Sequence, residues 1–404
     1  MNSKVTILPK LFNQRILMQA FIALAFDLGG ILSGRIVLTF HPLFESAPWI
    51  LALFPPMLTV RGNIGGILSS KLGTMLHIGE AEPRLRGNTQ EFYSFIMAIL
   101  ALTFIDTVGV GILAFVVNLS FGNTAIEHIP FFLTVPALAC LLAMSIAIPV
   151  ASFIGIEIFK RGLDPDVILY PMMSTIDDVL VTVCYIIVVG IALIPGTLAG
   201  MSFITLILGG IFLAMLTKRR RERIFRRTLA EGAPIILVAS LLGTFSGVFL
   251  ASLRAEIEKR PSVLLLYPAL IDTLGDIGSI LGAMETTKLA LGYVKSFWET
   301  LRATFADLVS IEIAAATMHI LFGLVAFLIG KATDLSPDLI SLIVIALVAN
   351  LISFLFISFF SIVVATQTFK QGLDPDNFVI PLVASVSDLS ATLALMATLT
   401  VLRA

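Results

Sequence analysis

Phe159-Lys160-Arg161-Gly162-Leu163-Asp164-Pro165-Asp166 returns, 210 residues later, as Phe369-Lys370-Gln371-Gly372-Leu373-Asp374-Pro375-Asp376. In both places the segment separates two long apolar runs. The match continues downstream at the same offset, where Pro171 pairs with Pro381, Thr175 with Ser385 and Asp178 with Asp388. Upstream the offset is 213: Pro48, Pro55, Gly62 and Gly65 align with Pro261, Pro268, Gly275 and Gly278. Earlier still, Gly30, Ser33 and Gly34 align with Gly243, Ser246 and Gly247. Self-similarity that runs from end to end describes a duplicated unit rather than a scattered motif.

The medium surrounding that unit follows from composition. Of 404 residues, 58% are apolar and 13% charged, roughly half the charged share of an ordinary soluble chain. A hydrocarbon layer of ~30 Å requires about 20 apolar residues in a helix. On that rule spans are expected near 17–40, 49–75, 92–118, 130–159, 167–194, 198–217, 231–252, 261–287, 303–330, 338–369 and 377–402. The first run is too long for the core of a signal peptide and no small-residue cleavage site follows it, so it reads as a transmembrane helix. The expected fold is an all-α polytopic membrane protein with two pseudo-symmetric five-helix repeats. Residues 1–197 form the first repeat, 198–230 a linker helix with a basic segment, and 231–404 the second repeat. A five-helix unit has odd parity, so the extra span restores the second copy to the orientation of the first. The repeats are then parallel, related by an axis along the membrane normal.

Basic residues orient the chain. Lys218, Arg219, Arg220, Arg221, Arg223, Arg226 and Arg227 follow the sixth span directly. With this run in the cytoplasm, 19 lysines and arginines fall inside and 5 outside, with Arg35 and Arg61 within spans. The N-terminus is then cytoplasmic and the C-terminus extracellular. With no organellar targeting signal in view, the plasma membrane is the expected location. The run itself reads as a topology determinant touching anionic lipid, not as a nucleic-acid surface. Cys140 and Cys184 lie inside apolar segments and read as small core residues. Gly30-x-x-x-Gly34 and Gly243-x-x-x-Gly247 fit close helix crossings.

Ionisable residues inside spans are costly and mark candidate sites. Asp178 lies about a dozen residues into its span, roughly 18 Å deep at 1.5 Å per residue, and Asp388 is its repeat mate. Asp177 stands beside Asp178 but faces Ser387 in the second copy. Asp27 and Asp106 are mid-span, Asp272 and Asp276 occupy the positions of Thr59 and Asn63, and Glu312 lies in the ninth span. An acidic set with few buried basic partners suits a cation. Carboxylate and carbonyl oxygen suit a hard divalent ion that keeps several waters, and the scattered histidines lack the spacing of zinc or copper sites. The competing reading makes these aspartates protonated or hydrogen-bonded packing groups. In the Leu-Asp-Pro-Asp segments, Asp164 and Asp374 fit helix N-caps with proline at the first helical position; a cytoplasmic ion vestibule is compatible with that. No Walker loop, nucleophile elbow or dinucleotide fingerprint occurs, which argues against ATP-driven transport or a soluble-type enzyme.

Pro55-Pro56-Met57-Leu58-Thr59-Val60-Arg61-Gly62-Asn63-Ile64-Gly65-Gly66, together with Leu-Asp-Pro-Asp and Pro171-x-x-Ser174-Thr175-x-x-Asp178, resembles the MgtE and solute carrier family 41 magnesium transporters. The resemblance covers nearly the whole chain as two fused five-helix units, a pseudo-dimer in one polypeptide. It implies Mg²⁺ as the transported ion, no other cofactor, and a path at the repeat interface. By position it assigns ion contacts to Asp178, Asp388 and Asn63, with Thr175 in the helix-five polar pair. The second copy departs from the family pattern, with Gly275-Asp276 for Gly-Asn and Ala384-Ser385 for the polar pair. About sixteen residues precede the first helix, which leaves no counterpart to the soluble Mg²⁺-sensing domains of bacterial relatives. The candidate metal set is therefore Asp178, Asp388, Asn63, Asp276, Asp177, Asp27, Asp106 and Thr175. Two alternatives stand beside divalent-cation transport: exchange coupled to Na⁺ or H⁺ through Asp27, Asp106 and Glu312, and an intramembrane enzyme built on Asp177 and Asp178.

Overall fold

The computed structural model describes residues 12–40, 42–43, 48–162, 165–290, 297–333, 335, 338–371 and 375–401. The described residues are helices joined by short connections, and eleven helical segments are long and apolar enough to cross a bilayer. We number them α1 (Gln14–Thr39), α2 (Pro48–Ile78), α3 (Gln90–Ser120), α4 (Ile129–Lys160), α5 (Pro165–Ala192), α6 (Thr197–Arg219), α7 (Arg223–Ser252), α8 (Val263–Ala290), α9 (Phe297–Ala332), α10 (Leu339–Lys370) and α11 (Pro375–Val401). All eleven expected spans are present. Helices α7 and α9 begin several residues before their apolar stretches, because the residues ahead of them (Arg223-Ile224-Phe225-Arg226-Arg227 and Trp298-Glu299-Thr300-Leu301-Arg302) tolerate or favour helix beyond the hydrocarbon.

Local signals set the helix ends. Asn13 caps α1, Thr89 caps α3 and Asp338 caps α10, each accepting a backbone N–H from the first turn. Gly162 follows the last turn of α4 at φ +71°, the left-handed stop that glycine adopts without steric cost. The next helix starts at Pro165, and α11 starts at Pro375, so both prolines hold the expected first helical position. Asp164 and Asp374, expected as the caps, lie outside the described residues.

Burial sorts the helices into a centre and a shell. In α8 and α2, 94% and 89% of the apolar window is buried, against 6% in α6. The central group is α2, α5, α8 and α11, where α2 touches α11 and α5 touches α8 across the repeats. Each of these four carries an interior proline: Pro55 and Pro56, Pro171, Pro268 and Pro381. Proline removes a backbone donor, and in a membrane the freed carbonyl is tolerated where protein rather than lipid surrounds it. Peripheral α6 rests on α3, α4 and α5 and turns Phe203, Leu206, Ile211 and Leu213 outward, the surface expected of a helix facing lipid tails.

The first helix of each repeat packs on the other repeat. Helix α1 lies against α8 and α9, while α7 lies against α2, α3 and α11. The glycine pairs sit at these crossings. A Cβ on Gly34 would come to 2.5 Å from the Leu265 carbonyl oxygen on α8, and one on Gly247 would collide with the Ala52 carbonyl oxygen on α2. Ala52 and Leu265 are themselves repeat mates, so the two crossings are the same crossing made twice. Between helices in lipid, close backbone approach supplies the dispersion contact that hydrophobic exclusion cannot. Polar ties lie near the same end of each exchanged helix: Asn13 Nδ2 donates to Asp307 Oδ1 on α9 at 3.0 Å, and Ser94 Oγ on α3 donates to Glu222 Oε2, just before α7, at 2.6 Å.

Candidate cation site between the repeats

Near the midpoints of α2, α8 and α11, and in the first third of α5, the side chains change character. A small cavity of about 20 Å³ is lined by Thr59, Arg61, Gly62 and Asn63 of α2, Tyr170 and Ser174 of α5, Asp272, Gly275 and Asp276 of α8, and Ser385 and Asp388 of α11. That volume accommodates about one water molecule. Gly62 and Gly275, again repeat mates, present bare backbone: a Cβ on either would meet nothing within 4 Å.

Two pairings organise the cavity. On one side Thr59 Oγ1 donates to Asp388 Oδ2 at 2.9 Å. On the other, the Arg61 guanidinium donates from Nη2 to Asp272 Oδ1 at 2.6 Å and from Nη1 to Ser174 Oγ at 2.8 Å. The same Nη2 forms an ion pair with Asp178 Oδ1. Ser174 Oγ also donates to Asp272 Oδ1 at 3.2 Å, and Ser385 Oγ to Asn63 Oδ1 at 3.3 Å. Among the described residues, Arg61 is the one lysine or arginine that lines the cavity. Carboxylates in low dielectric demand such compensation, since an unpaired buried charge costs several kcal/mol (roughly 3–5).

The remaining expected residues divide by position. Asp27 is fully buried, beside Thr273 and close enough to Asp276, Asp272 and Asp178 to feel their charge. It sits in a 3₁₀ turn, Phe26–Gly29, that interrupts α1. Thr175 does not line the cavity; its Oγ1 donates to the Phe26 carbonyl at 2.8 Å, satisfying an acceptor at that interruption. Asp177 is buried beside Gly65, where a Cβ would lie 3.3 Å from its Oδ2, and also stands outside the lining. Asp106 is buried on α3, where it accepts from Ser240 Oγ of α7 and lies near Asn63. Glu312 accepts from Asn350 Nδ2 at 3.0 Å between α9 and α10, away from the cavity. Cys140 and Cys184 are buried free thiols.

Arg61, Ser174 and Tyr170 were not among the expected ion contacts. The signal for Arg61 was present in the sequence as an arginine within a span, whose partners only the packing of three helices reveals. Among the described residues no group of three carboxylate, imidazole or thiolate side chains converges on one point. A divalent ion here would be held by one or two carboxylates, with amide, hydroxyl, carbonyl or water oxygen for the rest, the pattern Mg²⁺ favours.

The MgtE family profile, described as divalent cation transporter, matches residues 54–188 and 267–398, one block in each repeat. The chain is 24% identical over 398 residues to solute carrier family 41 member 3 of Rattus norvegicus, covering 90% of this chain and 82% of the relative. It is 24% identical over 383 residues to the Mus musculus member 3, covering 87% and 75%. With solute carrier family 41 member 2 of Homo sapiens it shares 22% over 376 residues, covering 87% and 63%. No solved structure matches.

Proposed function

This chain belongs to the MgtE family of divalent cation transporters, and from that premise we propose that it conducts a divalent cation, with Mg²⁺ the leading substrate, along the interface of α2, α5, α8 and α11. The observation that carries the reading is the convergence of both repeats on one buried cavity. Asp272 and Asp276 reach it from α8, Asp388 from α11, and Asn63 with Thr59 from α2. Each of these side chains lies near the middle of its helix, the depth at which a permeating ion most needs replacement ligands. Mg²⁺ holds its water tightly and takes few protein carboxylates, which suits an oxygen-lined site with bare backbone at Gly62 and Gly275.

The site residues in this reading are Asp388, Asp276 and Asn63 as direct contacts, with Asp178 and Asp272 engaged once Arg61 releases them. Asp27 and Asp106 flank the path, and Asp177 and Thr175 support the walls. The protein works as an integral membrane protein, a pseudo-dimer in one chain, with its partners being the ion and the bilayer. The basic run after α6 supports an orientation with the N-terminus in the cytoplasm and the C-terminus outside, and the plasma membrane is the proposed location. Impermeant thiol labelling of single cysteines introduced near Arg221 and Arg254 in intact cells tests that orientation, and labelling at Arg221 would reverse it.

The transport test is Mg²⁺ entry into sealed proteoliposomes, comparing the unaltered protein with Asp388→Asn and Asp178→Asn. Asp388→Asn is expected to lower flux by about 100-fold, near 2.7 kcal/mol, and Asp178→Asn by about 10-fold. Normal flux through both variants makes these aspartates packing groups and moves the path elsewhere.

A second reading, exchange coupled to Na⁺ or H⁺, is favoured by one observation: a further fully buried carboxylate, Asp27, beside Asp276 and Asp272 of the cavity wall. Mg²⁺ flux that requires an imposed Na⁺ or pH gradient, and loses that requirement in Asp27→Asn, selects it. The enzyme alternative has little support, since Asp177 lies along Gly65 while Asp178 pairs with Arg61, so the two carboxylates share no focus.

A further inference from the structure

We propose that Arg61 is a tethered cation that occupies the Asp178–Asp272 carboxylates in the empty protein and competes with the transported ion for them. The inference rests on the cation-transport reading above and assigns its regulation to one residue.

Arg61 belongs to α2, while its partners Asp178 and Ser174 belong to α5 and Asp272 to α8. One guanidinium therefore links three of the four central helices and both repeats. The repeat gives the control. The mate of Arg61 is Leu274, fully buried and absent from the cavity wall, and the mate of Asp272 is Thr59. Where the second position is a hydroxyl, it donates to the helix-five-type aspartate and no cation is needed. Where that position is a carboxylate, two like charges would face each other in low dielectric, which a cation or a shared proton relieves, and here the guanidinium reaches both. Arginine and the second carboxylate occur together on one side and are both missing from the other.

Two further features describe a placeholder rather than a permanent brace. Arg61 Nε, Asp272 Oδ2 and Asp276 Oδ2 are buried without hydrogen-bond partners, so the guanidinium does not saturate the groups around it. The cavity that remains holds about one water, whereas Mg²⁺ keeps several. Withdrawal of the guanidinium vacates both volume and charge at the same point. An arriving divalent ion then takes over the carboxylates as the arginine leaves, and neither acid is left uncompensated during the exchange.

The consequence is an affinity set by competition. Removal of the competitor makes Mg²⁺ bind more tightly and leave more slowly. Titration of Mg²⁺ into purified protein, alongside flux in proteoliposomes, reads both. Arg61→Gln is expected to lower the half-saturating Mg²⁺ concentration about tenfold while decreasing maximal flux. Arg61→Lys, which keeps the charge but not the planar fork, is expected to shift affinity in the same direction by about threefold, and it carries the test if the glutamine variant does not fold. A brace that only supports the fold predicts the opposite pattern: a lower melting temperature with unchanged or weaker Mg²⁺ binding, and that result overturns the proposal. If the unaltered protein moves no Mg²⁺, the transport reading falls. If it transports and both variants bind Mg²⁺ as it does, the competition inference falls alone.

Discussion

Asp178 and Asp388 hold equivalent places on α5 and α11, and the helices around them are equivalent too. Their neighbours differ by one carboxylate and one guanidinium. Around Asp388 the partner is the Thr59 hydroxyl at 2.9 Å. Around Asp178 the equivalent position is Asp272, and Arg61 is drawn in to bind both. Duplication fixes backbone geometry, because the same prolines and glycines recur, but it leaves each side chain free to change. The two halves have kept a shared scaffold and acquired different electrostatics. In one half a guanidinium neutralises the carboxylates, and in the other a hydroxyl alone bonds to the carboxylate.

That contrast is broken most severely by building the acidic pair without its cation. Thr59→Asp places a second carboxylate against Asp388, with Leu274 where arginine stands in the other half. A loss of about 3–5 kcal/mol is expected, read as a large fall in the detergent melting temperature. The double variant Thr59→Asp/Leu274→Arg is expected to recover part of it, and no recovery would mean that the local backbone, not the charge, decides the pairing.

A smaller effect separates glycines that touch backbone from glycines that touch space. Gly34→Ala pushes a methyl toward the Leu265 carbonyl and should destabilise the protein by about 1–3 kcal/mol. Gly62→Ala meets nothing within 4 Å, so the melting temperature should hold while Mg²⁺ flux drops as the cavity narrows. Equal melting losses in the two variants would contradict the assigned roles. Thr175 and Ser385 give the finest comparison. Thr175→Val removes the hydroxyl that satisfies the Phe26 carbonyl and should cost about 1 kcal/mol with little change in ion affinity. Ser385→Ala, on a cavity-lining residue bonded to Asn63, should change affinity with little loss of stability. The reverse assignment of these two phenotypes would place Thr175 on the path.

Much of this architecture was legible in one dimension. Span count and repeat register follow from apolar length and from recurring Gly, Pro and Asp, all of which are local properties. Asp388, Asp276 and Asn63, which share one cavity wall, could be picked out as candidates because buried polar groups in apolar helices are rare. The exchange of α1 and α7 between repeats was not legible, since hydropathy records that a helix crosses a membrane and not which neighbour it touches. Gly34 and Gly247 announced close crossings without naming Leu265 or Ala52. For the same reason Thr175, next to the lining residue Ser174, falls outside the cavity, as do Asp177 and Asp178 one turn further on: successive positions on a helix point about 100° apart. Arg61 was visible as an arginine within a span, but its two carboxylate partners come from α5 and α8, more than a hundred residues away in the chain.

The exchanged first helices also bear on how the chain is made. Helix α1 ends at Thr39, yet its resting place on α8 and α9 is complete only when Ala332 has been synthesised. At about 5–20 residues per second, that interval is roughly 15–60 s. Through much of it α1 has only α5, complete at Ala192, as a partner, by contacts such as that of Thr175 with the Phe26 carbonyl. The positions of α1 that carry Gly30 and Gly34 are matched only when α8 follows. A ribosomal stall or truncation anywhere before α9 would release a product that is inserted but cannot close.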